Sequence, residues 1–283
     1  MPDRPARRMV TNPGRIGLLL VLVAAGATAE DSEPDFSFRG QPIPPQCLES
    51  FSTGGAEAPP RATIVELDAC AGATATKASP PPWQAGPDGR RSYRRVHDGR
   101  AGGTFGYRPR GRTSEGLSVL ETWDNDGGSG TSTELLLVRR EESRLVLVRS
   151  IPGGDRCLAG ISATSIQGAD VAVDFRLGAA DLVAWVDDLA ASRIDETPEL
   201  DPGTGTPYDC EGSARYLYAP ATSPVRRLLG IDYRPSVRVL HGDGAEARCL
   251  RRAFGTADAF FERVELQEAA RALQACLAAS SPE

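Results

Sequence analysis

The chain has 283 residues, a formal net charge of −6 at pH 7 and 40% hydrophobic residues. This length accommodates one large domain or two small ones, with a sizeable hydrophobic core. The negative charge argues against a general nucleic-acid binder and against a polybasic membrane binder, because both of those targets are anionic. Lys77 is the sole lysine, and Arg, Ala, Gly and Pro are abundant; this composition is typical of a high-GC bacterial gene.

Residues 1–29 have the three parts of a cleavable export signal. Arginines precede an apolar run, Ile16–Gly26, which is shorter than the roughly 20 residues that span a membrane. Ala27 and Ala29 then supply the small residues that signal peptidase requires, so cleavage is predicted before Glu30. An uncleaved N-terminal anchor is the alternative, which the short apolar run disfavours. We expect a periplasmic or secreted protein with no transmembrane segment after signal cleavage.

Residues 30–89 form a Pro-rich approach segment. Prolines cluster at 42–45 and at 80–82, and such clusters do not form regular secondary structure in their interiors. Between them, the β-branched and apolar residues of Ala62–Asp68 predict one strand.

Residues 90–283 are predicted to form a single β-rich domain with C-terminal helices. Its central stretch has short apolar runs separated by polar or Gly-rich segments, which is typical of antiparallel hairpins. The runs are Leu117–Trp123, Leu135–Val138, Leu145–Ile151 and Val171–Phe175. We therefore predict an α+β fold with an antiparallel β-meander core, sandwich-like or partly closed. In the fourth run, apolar residues alternate with Ala172 and Asp174, which predicts one solvent-facing side.

Two later regions are predicted to be helical. The first, 179–191, is amphipathic, because its apolar residues recur with helical spacing and place Trp185 in the core. These residues are Leu182, Trp185, Val186 and Leu189. The second, Ala259–Ala279, is rich in alanine, which favours helix. Its predicted apolar face consists of Phe260, Val264, Leu273 and Leu277.

Six cysteines follow the predicted signal. An even count in an exported chain predicts three disulfides. The closely spaced cysteine pairs of zinc sites, thioredoxin-like motifs and covalent haem sites are absent from the sequence. Sequence alone permits fifteen pairings; we predict pairing in chain order, because each such pair joins segments expected to be neighbours. The predicted pairs are Cys47–Cys70, Cys157–Cys210 and Cys249–Cys276.

The turn between the first two apolar runs is the first weak site candidate. Asp124 and Asp126 offer the oxygen ligands that calcium prefers. However, an EF-hand loop counted from Asp124 would need glycine at Ser129 and glutamate at Leu135. We therefore interpret 124–130 as a hairpin turn whose glycines adopt positive φ.

Three further residues are weak candidates. Asp155 and Arg156 follow two glycines and could present a charged pair in a cleft, although such a pair more often braces a turn beside a disulfide. His241 lies in a Gly-rich segment, where a lone histidine is usually solvated. No nucleophile elbow and no H-E-x-x-H motif accompanies the two histidines. The adjacent arginine pairs, such as Arg139-Arg140, are interpreted as solvated surface.

These observations leave two hypotheses. The first is an exported bacterial envelope protein with a non-catalytic binding or structural role, in which no catalytic, metal-binding or cofactor-binding residue is assigned. Its partner would be a protein or small molecule, and not a nucleic acid. The alternative is a periplasmic hydrolase that works through Asp124, Asp126 or Asp155, with or without assistance from calcium. A pocket that collects these acids with a histidine would favour the hydrolase.

Overall fold

A computed structural model describes residues 36–53, 61–70, 83–86, 88–97, 100–179, 182–183, 210–219 and 226–280. All of them belong to one unit, Asp35–Glu283. The predicted export signal lies outside the described residues, as does most of the predicted amphipathic helix at 179–191. Both therefore stay predictions, although residues 179, 182 and 183 are helical.

Most of the described elements are strands. The N-terminal elements are β1 (Ser37–Phe38), β2 (Gln41–Pro42), α1 (Pro45–Glu49), β3 (Ile64–Glu66), β4 (Gln84–Ala85), β5 (Arg91–His97) and β6 (Arg100–Arg112). The central strands are β7 (Ser118–Asn125), β8 (Ser132–Glu141), β9 (Arg144–Asp155), β10 (Leu158–Gln167) and β11 (Asp170–Gly178). The C-terminal elements are β12 (Cys210–Tyr218), β13 (Arg226–Tyr233), α2 (Val237–His241), α3 (Ala245–Phe254), β14 (Ala259–Glu262) and α4 (Arg263–Ser280).

Strands β3 to β14 form one 12-stranded sheet in which the recorded pairs are antiparallel. Neighbours in the sheet follow chain order from β4 to β14, and β3 pairs with β9. This confirms the predicted antiparallel meander. The sandwich-like arrangement is not confirmed, because the strands belong to one continuous sheet.

The sheet changes character between β9 and β10. These strands pair only at Asp155 and Leu158. Irregular register then follows on β10 between Leu158 and Ile161. Bulges bend a strand and increase its twist. Strand β10 also contacts β6 and β8, so strands that are not its neighbours in the sheet lie close to it.

Two hydrophobic clusters lie on the two sides of β8. Leu135 and Leu137 belong to a cluster that includes strands β7 to β13 and helices α2 to α4. Leu136 and Val138 belong to a second cluster, in which α1 and the neighbouring N-terminal strands cover β5 to β9. Successive residues of a strand point to opposite faces, so β8 is buried on both sides.

The N-terminal segment is also anchored by a buried carboxylate. Glu134 on β8 is 2% exposed and accepts a hydrogen bond from the Ser52 hydroxyl at 2.8 Å. It also accepts one from the Thr53 backbone N–H at 3.1 Å and one from the Ser150 hydroxyl. A buried carboxylate requires such donors to offset its lost hydration. Glu134 is therefore structural.

Three local predictions were wrong. The α4 helix begins at Arg263, because residues 259–262 pair with β13 as β14; Phe260 is therefore on a strand. Val264 on α4 is 71% exposed. On β11, Ala172 and Asp174 are also buried, so the side predicted to face solvent is covered along most of its length, although Arg176 on the same side is exposed. Pro45 begins α1, because proline is tolerated at the first position of a helix; this does not contradict the prediction for the interior of the proline cluster, since residues 43 and 44 lie outside helix and strand.

The structure confirms the predicted disulfides. Cα–Cα distances are 5.6 Å for Cys47–Cys70, 5.0 Å for Cys157–Cys210 and 5.5 Å for Cys249–Cys276. The last bridge joins α3 to α4, and the second joins the β9–β10 turn to the start of β12. Among the described helices, none has both the length and the apolar character needed to cross a membrane.

Candidate functional site

The predicted acidic turn is organised by an arginine and an asparagine. The Arg95 guanidinium donates to both oxygens of Asp124, at 2.5 and 2.7 Å, and to Asp126 at 3.0 Å. The Asn125 side chain donates to the carbonyls of Gly128 and Gly130 and accepts from the Gly127 N–H. The described residues contain no cluster of three or more His, Cys, Asp or Glu suited to a metal ion.

Asp155 and Arg156 lie at the turn from β9 to β10. The Arg156 Nε atom is 3.9 Å from Asp155 Oδ1, and Arg156 Nη2 donates to the Ser129 carbonyl at 2.7 Å. Arg156 has a φ of 49°, and the neighbouring Cys157 is bonded to Cys210. The pair therefore braces a tight turn, yet both side chains also line a depression.

The structure separates the predicted site residues. Asp155 lines this depression together with Trp123. Asp124 follows Trp123 on β7 and so points to the opposite face of the strand. His241 is the last residue of α2, is exposed, and lines neither depression described below.

The first depression has a volume of about 390 Å³. Strands β6, β7 and β8 supply one wall, and the bulged start of β10 supplies another. Its most frequent lining residue is arginine. The five arginines are Arg90, Arg108, Arg110, Arg156 and Arg176.

Glu121 on β7 holds two of these guanidinium groups. Arg108 Nη2 donates to Glu121 Oε1 at 3.2 Å, and Arg110 Nε donates to Oε2 at 2.6 Å. Arg108 also pairs with Asp88 at 3.3 Å. An arginine carries five N–H donors, so these contacts fix the two side chains and leave further donors for a ligand.

Trp123 forms an aromatic platform in the same depression. It pairs with Gly106 on β6, and a Cβ atom added to Gly106 would lie 2.3 Å from the indole ring. The ring can lie this close to the β6 backbone only because residue 106 lacks a side chain. The Arg90 guanidinium lies 5.4 Å from the centre of the indole, a cation–π contact.

The second depression has a volume of about 480 Å³ and is lined from strands β10 to β13. Arg215 donates to both oxygens of Asp174, at 2.7 and 2.8 Å. This hydrogen bonding raises the pKa of Arg215. Arg234 pairs with Asp232 at 2.7 Å. Phe260 on β14 lies 5.8 Å from the Arg215 guanidinium and is 46% exposed.

The two depressions share Ser162 and Arg176 and are therefore contiguous. We call their combined surface the arginine face. Its charged residues are Arg90, Arg108, Arg110, Arg156, Arg176, Arg215, Arg234, Glu121, Asp155, Asp174 and Asp232. Basic residues thus outnumber acidic ones on this surface, although the whole chain carries a net charge of −6.

No protein family, no curated protein and no solved structure matches this chain. The chemistry of the arginine face is therefore the basis for a functional proposal.

Sequence reasoning found Asp155 and Arg156 but missed the other arginines. Arg90 belongs to one of the adjacent pairs interpreted as solvated surface, and the others were not singled out, because arginine is abundant throughout the chain. One signal was present: Arg108 and Arg110 are separated by one residue on a strand, and such residues point to the same face. The sequence contained no comparable signal that would join this pair to Arg176 or Arg215.

Proposed function

We propose that this chain is an exported, non-catalytic binding protein whose arginine face holds an anionic ligand. The observation that carries the proposal is the convergence of seven arginines on two contiguous depressions of an acidic protein. Guanidinium groups bind carboxylate, sulfate and phosphate groups through paired, charge-assisted hydrogen bonds.

Several of these arginines are held in position before any ligand arrives. Glu121 fixes Arg110 and Arg108, and Asp174 fixes Arg215. A ligand that meets fixed side chains does not bear the entropic cost of ordering them, which is about 0.5–1.5 kcal/mol for each immobilised long side chain. This arrangement supports a binding surface rather than a set of solvated charges.

The depressions also have a size that suits a ligand. Small-molecule sites typically enclose about 300–1,000 Å³, and the two volumes of about 390 and 480 Å³ lie in this range. Their charged lining differs from the largely apolar lining of most such sites, which favours a polar, charged ligand.

The hydrolase alternative has less structural support than the binding function. Both oxygens of Asp124 already accept hydrogen bonds from Arg95, and Asp126 does not line the arginine face. Asp155 is the one predicted acid on that face, and no described histidine lines it. A general acid or base must lie within hydrogen-bond reach of the reacting group. On this face, Asp155 would have to fill that role without the other predicted acids.

Export is part of the proposal. Three disulfides link the chain, and such bridges persist in oxidising compartments. Together with the predicted signal at 1–29, they support a periplasmic or secreted location.

Calorimetric titration of the purified mature protein tests the proposal. The probes are dextran sulfate, polygalacturonate and poly-L-glutamate, and we expect at least one of them to bind. Arg176→Gln should weaken that binding roughly 10-fold or more, because a charge-assisted hydrogen bond contributes about 1.5–3 kcal/mol. Arg139→Gln is the matched control, since Arg139 is exposed and lines neither depression. No binding of any probe, or equal loss in both variants, would refute the proposal.

A further inference from the structure

We infer that the ligand of the arginine face is an acidic polysaccharide, a sugar polymer that carries both anionic groups and hydroxyl groups. The inference rests on the proposed function and specifies its ligand. It depends on three features of the face: guanidinium donors, carboxylate acceptors interspersed among them, and an aromatic ring in or beside each depression.

The carboxylates decide against a ligand that carries anionic groups alone. Glu121, Asp155, Asp174 and Asp232 all line the face and place negative charge among the arginines, which disfavours a ligand that carries anionic groups alone. Glu121, Asp174 and Asp232 each pair with arginines, but a carboxylate has about four acceptor sites. Sugar hydroxyls can donate to the acceptor sites that the arginines leave open, while the sugar's own anionic groups accept from arginines. A hydroxylated anion therefore matches both kinds of charge on this surface.

Neutral polar groups on the face also suit a hydroxylated ligand. Ser129, Thr131 and Thr133 line the first depression, and Ser162 lies where the two depressions meet. The Thr133 and Ser162 hydroxyls already donate to the carbonyls of Gly154 and Asp174, so they can act toward a ligand only as acceptors. The Thr131 hydroxyl accepts from Asn125 and keeps its proton for a ligand. Sugar hydroxyls can both donate and accept, so they can pair with both kinds of group.

The aromatic rings supply an apolar surface for the C–H faces of sugar rings. Trp123 lines the first depression and is held against β6 at Gly106. Phe260 is 46% exposed and lies 5.8 Å from the guanidinium of Arg215, which lines the second depression. Tryptophan and phenylalanine offer large, flat apolar areas at low entropic cost. Trp123 lines one depression, whereas Phe260 lies beside an arginine of the other, so a ligand that uses both rings must extend across the two depressions, as a polymer can.

The second depression is itself long enough for several sugar units. Its lining residues Ser162, Arg215 and Asp232 lie on β10, β12 and β13, within the four sequentially paired strands β10 to β13. Neighbouring strands are about 4.7–4.9 Å apart, so the residues extend over roughly 14 Å across the sheet. The first depression continues this path through Arg176 and Ser162.

A single-stranded nucleic acid is the main rival, because it also combines anionic groups with flat rings. Its binding surfaces are dominated by positive charge, whereas this face includes four carboxylates on a chain of net charge −6. The charge distribution therefore favours the sugar polymer.

Four probes separate these possibilities in calorimetric titrations of the full mature protein. Polygalacturonate carries carboxylates and hydroxyls. Its methyl ester keeps the sugar backbone and removes the charge, whereas poly-L-glutamate keeps the carboxylates and removes the sugar. A single-stranded oligonucleotide represents the rival. We expect polygalacturonate to bind with a Kd about 10-fold or more below those of the other three.

Two aromatic variants test the stacking contribution. Trp123→Ala and Phe260→Ala should each raise the Kd for polygalacturonate by about 3- to 10-fold, and Trp123→Phe should restore part of the loss. Thermal melts identify a variant that fails to fold. If one of the two alanine variants does not fold, the other one tests the contribution of stacking to binding. Unchanged polygalacturonate binding in folded variants would overturn the inference.

The outcomes for the inference and for the proposed function differ. If poly-L-glutamate binds as tightly as polygalacturonate, and Arg176→Gln weakens both, the anion-binding function stands and the sugar inference is wrong. Tighter binding of the oligonucleotide would also refute the inference. If none of the polyanions binds, both the anion-binding function and the sugar inference are wrong.

Discussion

Arg95 holds the carboxylate of Asp124 with two parallel hydrogen bonds of 2.5 and 2.7 Å. The same guanidinium donates to Glu49 on α1 at 2.7 Å. The Arg95 and Asp124 side chains are only 16% and 13% exposed. The hydrogen bonds to Asp124 raise the pKa of Arg95, and the charges of Asp124 and Glu49 add to this effect. One arginine thus connects α1, β5 and the end of β7.

Arg95→Gln should lower the free energy of unfolding by about 2–3 kcal/mol, because it leaves two partly buried carboxylates without their charged partner. Chemical denaturation of Arg95→Gln, Asp124→Asn and the double variant would measure their coupling. The control is Arg39→Gln: Arg39 pairs with Asp68, but their side chains are 73% and 51% exposed. Such exposed pairs contribute at most about 1 kcal/mol. Equal effects of the two arginine variants would contradict the assigned role of Arg95.

Calcium should not stabilise the 124–130 turn. Asp124 would have to release Arg95 to bind a cation, and Asn125 already braces the turn. The melting temperature should therefore be the same in chelator and in excess calcium. A tight site would add about 2.7 kcal/mol of stability at a hundredfold excess over Kd. A rise of several degrees in the wild type, abolished in Asp126→Asn, would show a metal site.

Stability should fall in alkaline solution because of Tyr233. Burial, together with the negative charge of Glu211, raises the pKa of this phenol above its ordinary value. The unfolded chain loses the proton near pH 10, whereas the folded chain retains it to higher pH. This group therefore leaves the free energy of unfolding unchanged below about pH 10 and lowers it as the pH rises above this value toward the folded-state pKa, with a slope of about 1.4 kcal/mol per pH unit.

Tyr233→Phe isolates this contribution. The Tyr233 hydroxyl has no hydrogen-bond partner among the described residues, so the variant should keep wild-type stability at pH 7. Denaturation between pH 9 and pH 11 should show a shallower decrease than in the wild type. Tyr93, whose pKa is also raised by burial and by Glu49, contributes to the pH dependence in the same range, so the difference between the variant and the wild type, and not the slope of either alone, measures the contribution of Tyr233. An unchanged slope would contradict the assignment.

The Cys157–Cys210 bridge should support both stability and the arginine face. Its 53-residue separation predicts a stabilisation of roughly 4 kcal/mol on the chain-entropy model. Cys157 follows Arg156 in sequence, and Cys210 lines the second depression. Replacement of both cysteines by serine should therefore lower the melting temperature and weaken polyanion binding. The matched control replaces Cys249 and Cys276, whose 27-residue separation predicts roughly 3.5 kcal/mol, and should leave binding unchanged.

The mature protein should begin at Glu30. The small residues Ala27 and Ala29 follow an apolar run of signal-peptide length. Intact-mass measurement of protein isolated from an expressing bacterium decides this point. A mass that retains residues 1–29 would show the signal prediction wrong.

Local sequence determined the features that depend on neighbours in the chain. Alternating apolar residues and Gly-rich turns predicted the antiparallel meander, because adjacent strands pair through short connections. The chain-order disulfides could be predicted for the same reason. The Asn125 turn also required only a few successive residues. By contrast, the sequence of Ala259–Glu262 suits a helix as well as a strand, and pairing with β13 decides its conformation.

The tertiary structure alone decided the arginine face and the Arg95–Asp124 pair. Arg108 and Arg215 are more than 100 positions apart in the chain, and they contribute to one surface because the depressions that they line meet at Ser162 on β10 and Arg176 on β11. Arg95 and Asp124 are 29 positions apart and meet only through the register of β5, β6 and β7. Such contacts depend on strand register and sheet curvature, which result from packing over the whole core. The residues adjacent to each arginine in the sequence do not indicate these long-range contacts. The sequence therefore offered no reason to distinguish these arginines from solvated surface residues.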